Sequence, residues 1–229
     1  MVVDQPRRTG GAQGLAVTAG RVVYVHGIWM HGTVMAPLKR RIAHRHGFAG
    51  AAFTYPSVHG SVAENAELLA DFLRDFGDEP VHLVGHSLGG VLILYLLAHH
   101  AGLPPGRVVC LGSPLRGSQA GASLRRHRWG RKLLGNTIVP CVLEHAAAEW
   151  AGEVVKAREV GVIAGNLALG VGQLITRFHE PSDGTVTVAE TRLEGACDRL
   201  ELKVNHMGML VSRQVADRTA AFLRTGRFL

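Results

Sequence analysis

The sequence predicts an α/β fold, a mainly parallel sheet of about six strands with helices on both faces. Three observations carry that expectation. Short runs of β-branched and aromatic residues alternate along the chain with stretches of helical periodicity. These runs are apolar throughout, so both faces of the sheet need cover, which crossover helices supply. Hydrophobic residues make up 47% of the 229 positions and charged residues 19%, a composition that buries a core. At this length one domain is expected, spanning residues 1–229.

The first twenty residues are rich in Gly, Arg and small side chains and read as a loose lead-in. Arg21 to Val25 (RVVYV) is a buried strand closed by His26-Gly27. Residues 34–46 fit a helix with Leu38 and Ile42 inward and a basic outer face. Phe48 to Tyr55 reads as a second strand, ended by Pro56. Ser61 and Glu64 have the spacing of a capping box and open a helix that runs to about Phe76. Pro80 to Gly85 is a third strand, followed by a strongly apolar helix from Leu88 to His100. Arg107 to Leu111, Val160 to Ala164 and Leu200 to Val204 supply the remaining strands, and Gln214 to Leu223 a closing helix. Residues 115–158 interrupt the alternation and read as a cap or lid insertion over the sheet.

Several classes are set aside by composition. No apolar run approaches the roughly 20 residues of a membrane span. The start of the chain has two arginines with no apolar stretch behind them, so no export signal is expected and a cytoplasmic location is. Three cysteines without CxxC spacing argue against a disulfide framework or zinc knuckle, although a Cys141–Cys197 pair stays open. The formal charge is +7, from 25 Lys and Arg against 18 Asp and Glu. No nucleic-acid motif or interleaved aromatics accompany it, so nucleic acid is not an expected partner.

The chemistry is carried by Gly85-His86-Ser87-Leu88-Gly89-Gly90, at the junction of the third strand and its helix. G-x-S-x-G alone is a weak pattern; its position is what gives it meaning. A sharp strand-to-helix turn admits only small residues around the nucleophile, and it lifts Ser87 to the carboxyl edge of the sheet, above a helix N-terminus. A serine nucleophile needs a base, and the base an orienting acid. His206 follows the last strand and precedes the last helix, which puts it on the same edge as Ser87. His99 and His100 close the helix that begins at Ser87, too far along it to serve. For the acid, Asp183 in SDGTV lies in a turn after the fifth strand; Glu180 competes with it, and Asp198 sits at the wrong end of the sixth strand. The second N–H donor for an oxyanion, besides Leu88, is expected from Ile28, after Gly27 has brought the first loop close. His26 reads as a residue that hydrogen-bonds that loop.

With HGIW at 26–29, GHSLGG at 85–90, GSPLRGS at 112–118, SDGTV at 182–186 and NHMGM at 205–209, the chain resembles the α/β-hydrolases, within them the compact bacterial lipase/esterase branch. These segments span about four-fifths of the chain. The resemblance implies a Ser87–Asp183–His206 triad, an Ile28/Leu88 oxyanion hole and no cofactor. It implies cleavage of acyl or lipid esters through an acyl-enzyme. GHSLGG is also shared by thioesterases and acyltransferases, so those activities remain alternatives, as does a silent binding scaffold. The intact triad order speaks against silence. No H-x-x-x-H or H-E-x-x-H spacing occurs, and no catalytic metal is expected.

Between Arg116 and Lys132 there are six Lys or Arg and no acid, with Leu124, Trp129, Leu133 and Leu134 interleaved or adjoining. Residues 116–134 suit a lid or a contact with an anionic membrane surface, and equally a solvated arginine face. Trp29 and Trp129 are the candidate walls of an acyl pocket.

Overall fold

The computed structural model describes residues 20–77, 79–126, 142, 147–169 and 180–229. Six strands form one parallel sheet in the order β2-β1-β3-β4-β5-β6. They are β1 (Arg21–Val25), β2 (Ala49–Phe53), β3 (Val81–His86), β4 (Val108–Leu111), β5 (Val160–Gly165) and β6 (Asp198–Leu202). The described helices are α1 (Ala36–His46), α2 (Val62–Arg74), α3 (Leu88–His99), α4 (Gln119–Arg125), α5 (Ala147–Trp150), α6 (Gly152–Ala157) and α7 (Arg213–Thr225). Among the described residues, no helix is long and apolar enough to cross a membrane.

The period of two in the strands builds two cores. Val23, Val25, Phe53, Leu83, Val108, Cys110 and Val162 face α2 and α3, where Ala66, Leu69, Leu92 and Leu96 meet them. Their neighbours Val22, Tyr24, Val84, Val109, Leu111 and Ile163 face α1 and α7, against Leu38, Ile42, Val215 and Phe222. Helix α3 is apolar on every side because the sheet covers one face and α2 with the α5–α6 region the others, burying Leu88 through Leu94. The capping box is present: Ser61 Oγ accepts the Glu64 N–H at 3.1 Å and Glu64 accepts the Ser61 N–H at 2.7 Å.

The four inner strands match the sequence expectation to within one residue, and each of the two edge strands departs from it by two. β2 stops at Phe53, two residues short of Tyr55. Thr54 and Tyr55 leave the ladder to bond the loop after β1: Thr54 Oγ1 accepts the Gly32 N–H at 3.1 Å, and the Tyr55 N–H donates to His26 Nε2 at 3.3 Å. β6 starts at Asp198, two residues earlier than expected, since an edge strand can turn charged side chains to solvent. The helix expected over 34–46 begins as a 3-10 turn, Gly32–Met35, that runs into α1.

Between β4 and β5 the described part of 115–158 does two things. Ala147, Ala151 and Val154 of the α5–α6 region are buried in the α3 core, as a crossover between two parallel neighbours requires. Leu115, Ala120 and Leu124 are also buried, leading into α4. Trp129 and Cys141, and with them residues 127–134 of the basic stretch, lie outside the described residues.

Candidate active site

β3 passes into α3 through one residue. Ser87 holds φ 54° and ψ −124°, a left-handed backbone that an L side chain adopts only under strain. The surrounding glycines make the turn possible by close approach. A Cβ on Gly85 would come within 2.4 Å of the Gly90 nitrogen, and one on Gly89 within 2.2 Å of the Val25 carbonyl oxygen and 2.6 Å of that of His26. All three contacts are to backbone, which cannot swing aside. Gly89→Ala is therefore expected to lower stability by about 2–3 kcal/mol or more, read as a lower urea midpoint. Gly152→Ala, where a Cβ meets nothing within 4 Å, is the matched control and is expected to hold or raise that midpoint.

Asp183 and His206 are brought together as expected. His206 Nδ1 donates to Asp183 Oδ2 at 2.7 Å, with 0% of Asp183 and 6% of His206 exposed. The other carboxylate oxygen, Oδ1, accepts the N–H groups of Thr185 at 2.9 Å and Val186 at 2.8 Å, so the Asp-Gly turn locks the carboxylate in place. A backbone bond repeats the pairing, the His206 N–H donating to the Asp183 carbonyl at 2.9 Å. Gly112, at φ 53°, makes room for the pair: a Cβ there would stand 2.9 Å from Asp183 Oδ2 and 3.2 Å from His206 Nδ1. The competing acids stand elsewhere. Glu180 is exposed, and Asp198 accepts the Phe228 N–H at 2.8 Å, at the opposite edge of the sheet.

Ser87 joins this pair through the strand ends. Its N–H donates to the Leu111 carbonyl at 2.9 Å, one residue before Gly112. The preceding residue, His86, donates from Nε2 to the His206 carbonyl at 3.0 Å, and the two imidazole centroids are 4.6 Å apart. The loop after β1 closes the other side, since a Cβ on Gly27 would lie 3.0 Å from Ser87 Cβ. His26 organises that loop: it donates from Nδ1 to the Gly27 carbonyl at 2.7 Å, accepts from the Tyr55 N–H, and stacks on Tyr55 at 4.4 Å. Burial lowers its pKa and keeps it uncharged. Ile28 follows as a half-buried residue and Leu88 opens α3. Trp29, 54% exposed, takes a left-handed φ of 57° and donates its N–H to Ser57 Oγ at 3.2 Å.

Three contributors escaped the sequence reading: Gly112, His86 and Glu190. Glu190 is buried and accepts the Thr187 N–H at 2.7 Å and the Gln119 N–H, tying the Asp183 loop to the first turn of α4. Burial raises its pKa, and the nearby Asp183 adds to the rise. Its signal in the sequence is the spacing Thr187-x-x-Glu190, with the Glu190 N–H returned to Thr187 Oγ1 at 3.2 Å. Among the described residues, no three His, Cys, Asp or Glu side chains gather as metal ligands would.

A parallel sheet of this order, turning into a helix through a single strained serine, defines the class of α/β hydrolases. Residues 22–221 match the model of the alpha/beta hydrolase family, and the chain belongs to that family. Solved structures agree in fold. A lipase-esterase related protein from Clostridium acetobutylicum superposes with a TM-score of 0.59 at 13% identity, covering 91% of this chain and 94% of that one. The monoacylglycerol lipase of Paleococcus ferrophilus gives 0.57 at 17%, covering 90% and 95%. RedJ, a thioesterase of the prodiginine biosynthetic pathway in Streptomyces coelicolor, gives 0.56 at 17%, covering 97% of both. No curated protein sequence matches the chain.

Proposed function

We propose that this chain is a serine hydrolase that cleaves carboxylic esters, with Ser87 as nucleophile, His206 as general base and Asp183 as the acid that orients it. The observation that carries the reading is the buried 2.7 Å Asp183–His206 hydrogen bond at the sheet edge where Ser87 is held in a strained turn. His206 with its Nδ1–H on Asp183 has its Nε2 lone pair free to take the Ser87 proton as Oγ attacks the ester carbonyl. The Leu88 and Ile28 amides receive the oxyanion, the former aided by the positive end of α3. The alcohol leaves with the proton from His206, and water, activated by the same imidazole, releases the acid. Trp29 stands beside the oxyanion loop as a wall for the acyl group.

The names of the structural neighbours, a lipase and a lipase-esterase related protein, favour acyl esters; the thioesterase name keeps thioesters as the second substrate class. Both react through the same acyl-enzyme, so the leaving group has to be measured. The native chain is expected to be labelled at Ser87 by a fluorophosphonate and to turn over p-nitrophenyl esters in a series from acetyl to palmitoyl. A butyryl thioester run beside p-nitrophenyl butyrate decides between the two classes. A chain that takes no label and cleaves neither substrate sinks the reading.

A further inference from the structure

The mechanism above leaves unused the hydrogen bond to the His206 carbonyl. His206 has its peptide N–H and its Nδ1 on Asp183, at 2.9 Å and 2.7 Å. Its carbonyl accepts from His86 Nε2 at 3.0 Å, across 120 positions of sequence. His86 is fully buried, and that bond is the ring's own anchor: among the described residues its Nδ1 has no hydrogen-bond partner. The ring lies 4.6 Å from that of His206, tilted by 46°.

We propose that His86 is a positioning residue for His206: its Nε2–H pins the carbonyl of the base, and its ring backs the imidazole, so that the base is held from both sides. This inference rests on the Ser87–His206 reading and adds to it the residue that precedes the nucleophile. The placement joins two things that the chain supplies separately. Because His86 is the last residue of β3 and Ser87 follows it directly, one hydrogen bond sets the β6–α7 loop in register with the nucleophile turn. The residue must also be uncharged, because His206 becomes an imidazolium during proton transfer and a second cation at this distance would oppose it. Burial meets that requirement, pushing the His86 pKa down to about 3, with repulsion from His206 acting in the same direction. A bond from a neutral donor to a buried carbonyl is also the kind whose loss is felt, since the carbonyl cannot turn to water instead.

The test separates the hydrogen bond from the packing. Leucine at position 86 fills the space and removes the donor; glutamine restores an N–H at the reach of Nε2; asparagine has a donor too short to arrive. With p-nitrophenyl butyrate, His86→Leu and His86→Asn are expected to lower kcat by about tenfold or more with KM within about twofold, and His86→Gln to recover kcat to within about threefold of native. Thermal melts accompany each variant, and if the leucine variant does not fold, the asparagine–glutamine pair makes the comparison alone. The inference is overturned if leucine or asparagine leaves kcat at the native level. It is equally overturned if glutamine falls as far as they do while melting like the native chain, or if KM alone moves. Fluorophosphonate labelling of the native chain keeps the two readings apart. Without label the serine hydrolase reading fails and takes this one with it; with label and a flat His86 series, only the role of His86 is lost.

Discussion

Ser87→Ala is expected to lower ester turnover by at least about ten-thousand-fold and to abolish fluorophosphonate labelling, with the fold intact. The size follows from what is removed. With Ser87 as the proposed nucleophile, alanine takes away the oxygen that forms the acyl-enzyme, and the His206–Asp183 pair then has no proton to take. Residual rate comes from the oxyanion donors acting on water, which is why it does not fall to the uncatalysed level. The same position makes a stability prediction of opposite sign. The backbone at φ 54° and ψ −124° is retained by alanine and so is its strain, whereas glycine adopts it freely. Relief of about 1–3 kcal/mol, less the ~0.5–1 kcal/mol that glycine adds to the entropy of the unfolded chain, leaves Ser87→Gly about 1 kcal/mol more stable than native. An inactive variant that is more stable than the active chain is what a turn strained for function should give. Urea midpoints of the native, alanine and glycine chains check it, and activity above about one per cent in Ser87→Ala would place the nucleophile elsewhere.

The inner sheet and its two layers were legible because β1, β3, β4 and β5 are apolar on both faces, a pattern that depends on nothing outside each segment. The edges were harder to read for a physical reason. β2 is almost all small residues (AGAAF) and β6 carries three charges in five positions (DRLEL), so hydropathy alone does not mark where either begins or ends. The ends are set by partners: Tyr55 leaves β2 for His26, and β6 starts at Asp198 because that residue lies opposite Gly161 in the ladder with β5. The site divides in the same way. Ser87 announces itself by a local motif, and His206 and Asp183 by their places after strands that could be counted. His86 carries no local mark of the carbonyl it bonds, 120 positions away, and the Thr187-x-x-Glu190 spacing marks the local turn but not the bond of Glu190 to Gln119, 71 positions away. A histidine inside G-x-S-x-G looks like a spacer until the carbonyl it holds is seen.

Asp183→Asn is the substitution that asks most of the geometry, and it is expected to cut kcat by about a thousandfold to ten-thousandfold while leaving the melt close to native. The two oxygens of Asp183 have different duties. Oδ1 takes two backbone N–H groups, from Thr185 and Val186, and Oδ2 takes one, from His206 Nδ1. An asparagine has one oxygen, and burial leaves it no water to fall back on. Two peptide donors outweigh one side-chain donor, so the amide settles with its oxygen toward Thr185 and Val186 and its NH₂ toward His206. His206 must then accept at Nδ1, which moves its own proton to Nε2. In that tautomer the imidazole has no lone pair for the Ser87 proton, although every heavy atom is where it was. The loss therefore falls on kcat and on the rate of fluorophosphonate labelling, with KM little changed. Glu180→Gln, the same change of charge on the exposed neighbour, is expected to stay within about twofold of native. Asp183→Ala supplies the contrast on the folding side, since it strands both peptide N–H groups and is expected to cost about 2–4 kcal/mol where asparagine costs little. If Asp183→Asn instead keeps native kcat, another group orients His206, and the buried pair is structural. If Glu180→Gln takes the loss in its place, the acid belongs to the other carboxylate and the turn at Asp183 serves only to shape the loop.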